Sequence, residues 1–105
     1  MSGEGGAVEV TRLLQRARDG DARALGDAYA AVYEELKRAA RLQLRRGRGP
    51  LDTTVLVHEA YLKLAGSAPL EVNDRHHLLA LSARAMRQVL VDQARNAQAL
   101  KRGNG

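Results

Sequence analysis

Hydrophobic residues recur at steps of three and four along most of the chain, which predicts amphipathic α-helices, and the alternating pattern of strands is not found. The first predicted helix runs from Val8 to Arg18. The second follows Asp19-Gly20-Asp21, which supplies a C-terminal glycine and an N-cap aspartate. It continues to about Arg46, where Gly47-Arg48-Gly49-Pro50 interrupts the pattern.

Two further helices are predicted in the second half of the chain. The third is capped by Asp52 or Thr53 and ends at Gly66-Ser67-Ala68-Pro69. Its buried stripe is expected to be Leu56, Ala60 and Leu64. The fourth is capped by Asp74, continues to about Ala99 and carries an apolar arc wide enough to pack against more than one neighbour.

Four helices with short links predict a small all-α four-helix bundle. We expect it to occupy residues 8–100, between a flexible N-terminus (1–7) and a flexible basic tail (101–105). The 105 residues are enough for one domain. No apolar run approaches the roughly 20 residues that a membrane span requires, and the N-terminus lacks the pattern of a secretory signal. A cytoplasmic protein is therefore expected.

The composition argues against most catalytic and metal sites. The absence of cysteine excludes disulfides, zinc fingers and thiol nucleophiles. His58-Glu59 lacks the second histidine of a zinc-protease motif, and the adjacent His76 and His77 would point about 100° apart on a helix. No phosphate-binding loop or nucleophile elbow is present. We expect no catalytic residue, no metal and no cofactor.

Positive charge is concentrated in two segments of a chain whose formal net charge is +5. Residues 37–48 contain six bases and no acid, and residues 84–105 contain five bases and one acid. Such clusters favour a polyanion, most commonly nucleic acid, although a solvated helix face gives the same pattern. For residues 37–48 both interpretations stay open: contact with upstream DNA phosphates, or solubility of a long helix.

Two segments resemble a known family. Thr54–Leu64, which reads Thr-Val-Leu-Val-His-Glu-Ala-Tyr-Leu-Lys-Leu, resembles the most recognisable helix in the second conserved region of bacterial sigma factors of the extracytoplasmic-function (ECF) class. His58 stands where glutamine is usual, and Tyr61 fills the aromatic position. Met86–Arg95 is similar to the last helix of the same region, and the resemblance extends from about Leu13 to Gly103.

The resemblance implies a promoter-recognition domain with the fold of sigma region 2. One helix would bind the β′ clamp helices of the RNA polymerase core. The last helix and the loop before it would bind the promoter minus-ten element, mainly its melted strand, and capture a flipped base. The polymerase-binding positions would be Thr54, His58, Glu59 and Lys63. The DNA-binding positions would be Asn73, Asp74, Arg75, His76, Arg84, Arg87, Gln88, Arg95, Lys101 and Arg102.

The residue pattern supports this division independently. Arg84, Arg87 and Arg95 fall on one side of a helix, where guanidinium groups can follow phosphates or stack on a base. Gln88 and Asn73 can hydrogen-bond a base edge. The alternative is that these side chains only solvate the final helix.

Two features depart from the family. Leucines at 78, 79 and 81 stand where aromatic residues near the melting site would be expected, and nothing after Gly105 supplies the second, helix-turn-helix domain. The chain is therefore expected to be an isolated domain, an engineered fragment or a naturally shortened protein. An anti-sigma factor would be an additional partner.

Two other functions are compatible with the sequence. The first is a helical protein–protein adaptor whose basic surfaces bind an acidic protein. The second is a small helical enzyme, which would require carboxylates that converge in a cleft.

Overall fold

Five α-helices make up the part of the chain that the computed structural model describes, residues 2–45, 51–66 and 71–104. They are α1 (Ser2–Arg18), α2 (Ala24–Ala31), α3 (Tyr33–Arg45), α4 (Thr53–Gly66) and α5 (Arg75–Asn104). These residues include no strand, so the predicted all-α class is confirmed. None of the described helices is both long and apolar enough to cross a membrane.

The predicted second helix is in fact two helices, α2 and α3, separated at Val32. The N–H of Val32 donates to the carbonyl of Tyr29, three residues earlier, at 3.2 Å, which closes a tighter turn than the α-helical bond to the fourth residue back. Its dihedral angles, φ −110° and ψ 20°, also leave the helical range. Val32 is fully buried, and the break lets α2 pack on α1 while α3 packs on α4 and α5. The predicted count of four helices is therefore not confirmed, since the described residues contain five. No glycine or proline lies at the division, which coincides with the change of packing partners.

The first and last helices are longer than the sequence pattern predicts. Helix α1 begins at Ser2, and α5 continues through Asn104. Side chains 94–101 are all exposed, so the end of α5 depends on helix-favouring residues and not on burial. The interruptions predicted at residues 47–50 and 67–69 lie outside the described residues.

The turns and caps use the expected polar residues, with one correction. Gly20 adopts a positive φ of 102° after α1, as a C-terminal glycine does. Asp21, however, is not the N-cap of α2, a position that Arg23 occupies. The Asp21 carboxylate instead accepts the Arg23 N–H at 3.0 Å, because residues 22–23 form a turn before the helix starts. Asp52 caps α4 as predicted, with a 2.8 Å bond from the N–H of Val55.

The core lies where α4 packs against α5, α3 and α2, and α1 adds Val10 and Leu14 to it from its contacts with α2 and α5. The stripe predicted for α4 is confirmed, since Leu56, Ala60 and Leu64 are buried. Among the described residues, Tyr29 and Ser82 bring buried hydroxyl groups into this core, and both hydroxyls are hydrogen-bonded. Tyr29 donates to the carbonyl of Val57 at 3.1 Å, and Ser82 donates to the carbonyl of Leu78 at 2.7 Å.

The buried hydroxyl of Tyr29 predicts sensitivity to alkaline pH. Burial raises the pKa of Tyr29 from 10.0 to about 12. Between these values the unfolded chain loses the Tyr29 proton while the folded chain keeps it, so stability falls as pH rises. We expect Tyr29→Phe to cost about 1 kcal/mol at neutral pH through the lost hydrogen bond. The same variant should lose less stability than the wild type between pH 10 and pH 12.

Urea unfolding at several pH values measures both effects. Tyr33→Phe is the matched control, because Tyr33 is exposed and should leave the pH dependence unchanged. If the free energy of unfolding fell equally in the wild type and in Tyr29→Phe between pH 10 and pH 12, the raised pKa of Tyr29 would be contradicted.

Candidate functional site

Helix α4 presents a mixed apolar and polar face to solvent. Thr54, His58, Glu59 and Lys63, the predicted polymerase-binding residues, are all exposed on it. Val55 and Leu62 lie between them and are 39% and 49% exposed. These two were not among the predicted site residues, although both fall outside the buried stripe and are identifiable from the helical period. We call the six residues the α4 face.

One edge of the α4 face adjoins a groove between α2 and α4. Thr54 and His58 line this groove together with Tyr33 and Tyr61. The ring of Tyr61 packs against that of Tyr29, with centroids 5.1 Å apart, and the ammonium of Lys37 lies 5.2 Å from the centre of the Tyr33 ring. The rings of Tyr33 and Tyr61 therefore extend the α4 face toward α2.

The other edge of the α4 face is tied to α5 through Asp92. Lys63 Nζ lies 2.8 Å from one carboxylate oxygen, and Gln88 donates to the other at 2.9 Å. The pKa of Asp92 is lowered, first by the hydrogen bond from Lys63 and then by that from Gln88. Lys63 and Gln88, predicted to bind different partners, thus share one carboxylate at the α4–α5 junction.

The loop before α5 is held by contacts on several sides. Val72 is buried in the core. Asp74 accepts the N–H of His77 at 2.9 Å and so caps the helix, and His77 Nδ1 accepts the N–H of Asn73 at 3.2 Å. Together these bonds form a variant of the capping box. Arg18 of α1 donates to Asn73 Oδ1 at 2.9 Å, which ties the loop to the first helix.

The four DNA-binding candidates near this loop differ in their surroundings. Asn73 and His76 are exposed. Asp74 is occupied as the N-cap, and half-buried Arg75 forms an ion pair with Glu35 of α3. The structure therefore gives Asp74 and Arg75 structural partners, while the Nδ2 group of Asn73 has none among the described side chains.

Helix α5 carries the predicted arginine face. Arg84, Arg87 and Arg95 are exposed and fall within an arc of about 80° at 100° per residue. None of the three forms an ion pair with any described side chain. The charge of Arg95 does help to lower the pKa of Asp92. Lys101 is exposed farther along the helix, and the side chain of Arg102 lies outside the described residues.

No group of three acidic or histidine side chains within the described residues is placed to hold a metal ion. His58 and His76 are exposed, on α4 and α5, and His77 takes part in the cap of α5. The chemistry available on these helices is therefore hydrogen bonding, apolar contact and positive charge.

The described helices thus form an all-α bundle with a mixed apolar and polar face on α4 and an arginine face on α5. Residues 7–105 match the model of the ECF sigma factor family, and the chain belongs to this family. Neither a curated protein nor a solved structure matches the chain.

The family match confirms two predictions made from the sequence. The chain is an ECF sigma factor, a factor that acts in transcription initiation with RNA polymerase and promoter DNA. Such factors are not enzymes, so the alternative of a small helical enzyme is excluded.

The capping role of Asp74 can be separated from a role of its charge. Asp74→Ala should destabilise the protein by about 1 kcal/mol, because the N–H of His77 loses its acceptor. Asp74→Asn should remain close to the wild type, since asparagine caps a helix about as well. Urea unfolding measures both, with exposed Asp19→Ala as the control. A loss no larger than that of the control would show that the cap contributes nothing.

Proposed function

We propose that this chain is the promoter-recognition domain of an ECF sigma factor, with the fold of sigma region 2. In this proposal the α4 face binds the clamp helices of the polymerase β′ subunit. Helix α5 and the loop before it bind the minus-ten element of the promoter. The observation that carries the proposal is the separation of two exposed surfaces on neighbouring helices, one mixed apolar and polar, the other cationic.

The α4 face has the properties of a protein-binding surface. Exposed Val55 and Leu62 provide an apolar centre, and Thr54, His58 and Glu59 provide a polar rim, as in protein interfaces generally. The cation on this face, Lys63, is paired with Asp92, so the face does not attract phosphate strongly. A helical partner such as a clamp helix could pack along this face.

The α5 surface suits a melted DNA strand. Its arginines offer bidentate hydrogen bonds to phosphates and flat surfaces for an unpaired base. Extruding a base costs a few kcal/mol of stacking free energy. A loop already held by Val72, Asp74 and Arg18 loses little conformational entropy on binding, which favours capture of that base.

The two surfaces adjoin at Asp92, so one domain can contact both partners at once. Leu62 and Lys63 of α4 line a shallow groove with Arg84 and Gln88 of α5. A sigma factor must hold polymerase and promoter together, and this adjacency provides a short and rigid path between them.

The polymerase assignment is tested with the isolated β′ clamp helices. We expect Glu59→Lys to weaken their binding at least about tenfold, because charge reversal at a complementary rim is costly. Glu9→Lys makes the same charge change on exposed α1 and should bind as the wild type. Equal retention of Glu59→Lys and the wild type in a pull-down and titration would remove the α4 face from the proposal.

The DNA assignment is tested on fork-junction DNA with randomised single-stranded minus-ten positions. Arg87→Ala should weaken binding to every sequence and lower the salt slope by about 0.7 to 0.9, the contribution of one phosphate contact. Asn73→Ala should instead relax base preference by about tenfold at one position, since a base contact is worth about 1–3 kcal/mol.

The comparison of these two variants identifies which assignment fails. If Asn73→Ala lost affinity equally for all sequences, the loop would not read a base. A wild-type salt slope near zero would favour the adaptor function, in which α5 binds an acidic protein.

A further inference from the structure

A second arginine face lies on α3. Arg38, Arg41 and Arg45 follow one another at steps of three and four, are all exposed, and fall within an arc of about 60°. They form no ion pair with the side chains that the structure describes. Lys37, in contrast, lies 3.6 Å from Glu34 and over the ring of Tyr33. The family assignment of α4 and α5 leaves these three cations unexplained.

Two side-chain contacts fix the register of α3 against α5. Glu35 near the start of α3 pairs with Arg75 at the start of α5. Eight residues later on both helices, Gln43 donates to the carbonyl of Ala83 at 3.1 Å. The two helices therefore run parallel and in step. Arg45 lies at about the level of residue 85 of α5, between Arg84 and Arg87.

The exposed arcs of the two helices also adjoin in cross-section. Glu35 and Gln43 mark the side of α3 that faces α5, and Ala83 marks the side of α5 that faces α3. Both helices turn their buried residues toward α4, so both exposed arcs lie opposite the core. On α3 this arc runs from Leu42, next to α5, through Arg38 and Arg45 to Arg41 at its far edge. On α5 it holds Arg87 and Arg84.

The chemistry of this combined surface fits a sugar–phosphate backbone. Surfaces that bind single strands commonly supply aromatic rings on which bases stack. The three tyrosines of the chain, which has no Phe or Trp, lie elsewhere, since Tyr29 and Tyr61 contact each other and Tyr33 lies under Lys37. Five arginines with exposed Leu42 between them offer charge to phosphates and an apolar contact to deoxyribose.

We propose that Arg38, Arg41 and Arg45 of α3 extend the arginine face of α5 into a binding surface for duplex DNA next to the melted element. This inference rests on the proposed function of α5. It assigns these three arginines of the basic segment to backbone contact and not to solubility alone. Arg46 and Arg48 of that segment lie outside the described residues.

The test measures the salt dependence of binding to duplex promoter DNA by fluorescence anisotropy. Each lost phosphate contact lowers the slope of log affinity against log salt by about 0.9. We therefore expect Arg38→Gln/Arg45→Gln to lower it by about 2. The control Arg12→Gln/Arg23→Gln removes the same charge from two exposed residues, one within α1 and the other at the N-cap of α2. It should change the slope much less. Equal changes in the two variants would overturn the inference, because only net charge would then matter.

A third variant separates this inference from the proposed function. Arg84→Gln/Arg87→Gln should lower the slope on both duplex and single-stranded DNA. If Arg84→Gln/Arg87→Gln lowers the slope while Arg38→Gln/Arg45→Gln behaves like the control, the role of the α3 arginines is refuted and the proposed role of α5 stands. If Arg84→Gln/Arg87→Gln has no effect on either DNA, the DNA-binding role of α5 fails first.

The kind of DNA is tested with the same variants. Arg38→Gln/Arg45→Gln should lower the slope more on duplex than on a single strand of the same sequence. An equal or larger loss on the single strand would contradict the assignment to duplex DNA. Circular dichroism of each variant confirms that the helices are retained.

Discussion

The packing of α4 against α5 is the constraint on which the rest of the molecule depends. Small residues, Ala60 on α4 and Ser82 on α5, are fully buried in the core and favour close approach of the helices. The Ser82 hydroxyl is satisfied by its own helix, so this core carries no unpaired polar cost. With the inner stripes fixed, helical geometry decides what points outward: Val55 and Leu62 on α4, and the arginines on α5.

The polar contacts around this core contribute orientation more than stability. Exposed ion pairs are generally worth at most about 1 kcal/mol, so the pair between Lys63 and Asp92 does not hold the fold together. The exposed hydrogen bond from Arg18 to Asn73 contributes no more than that. Their effect is to limit the positions of particular side chains. Asp92 holds Lys63 beside Gln88, and Arg18 holds the Asn73 amide by its oxygen, leaving the amide nitrogen available to a ligand.

Features with a local cause could be predicted from the sequence, and features set by packing could not. Asp52 and Asp74 predict the starts of α4 and α5, because an N-cap side chain accepts the N–H of a residue only three positions later. The arginine face of α5 follows from helical period alone. The break at Val32 has no glycine or proline to signal it. The contact between Arg75 and Glu35 joins residues 40 positions apart, and no local pattern predicts it.

The leucines at positions 78, 79 and 81, where the resemblance led us to expect aromatic residues, illustrate how burial limits function. Leu78 is fully buried, and Leu79 and Leu81 pack against the same core, so none of the three is free to act as a wedge between bases. In the proposed function, a melted strand would then be held by guanidinium groups and by the loop before α5, and not by stacking on aromatic rings. Charge contacts weaken with salt far more than stacking does. If the proposed function is correct, a domain of this composition should therefore rely on a polymerase bound to the α4 face to keep the strand separated at physiological ionic strength.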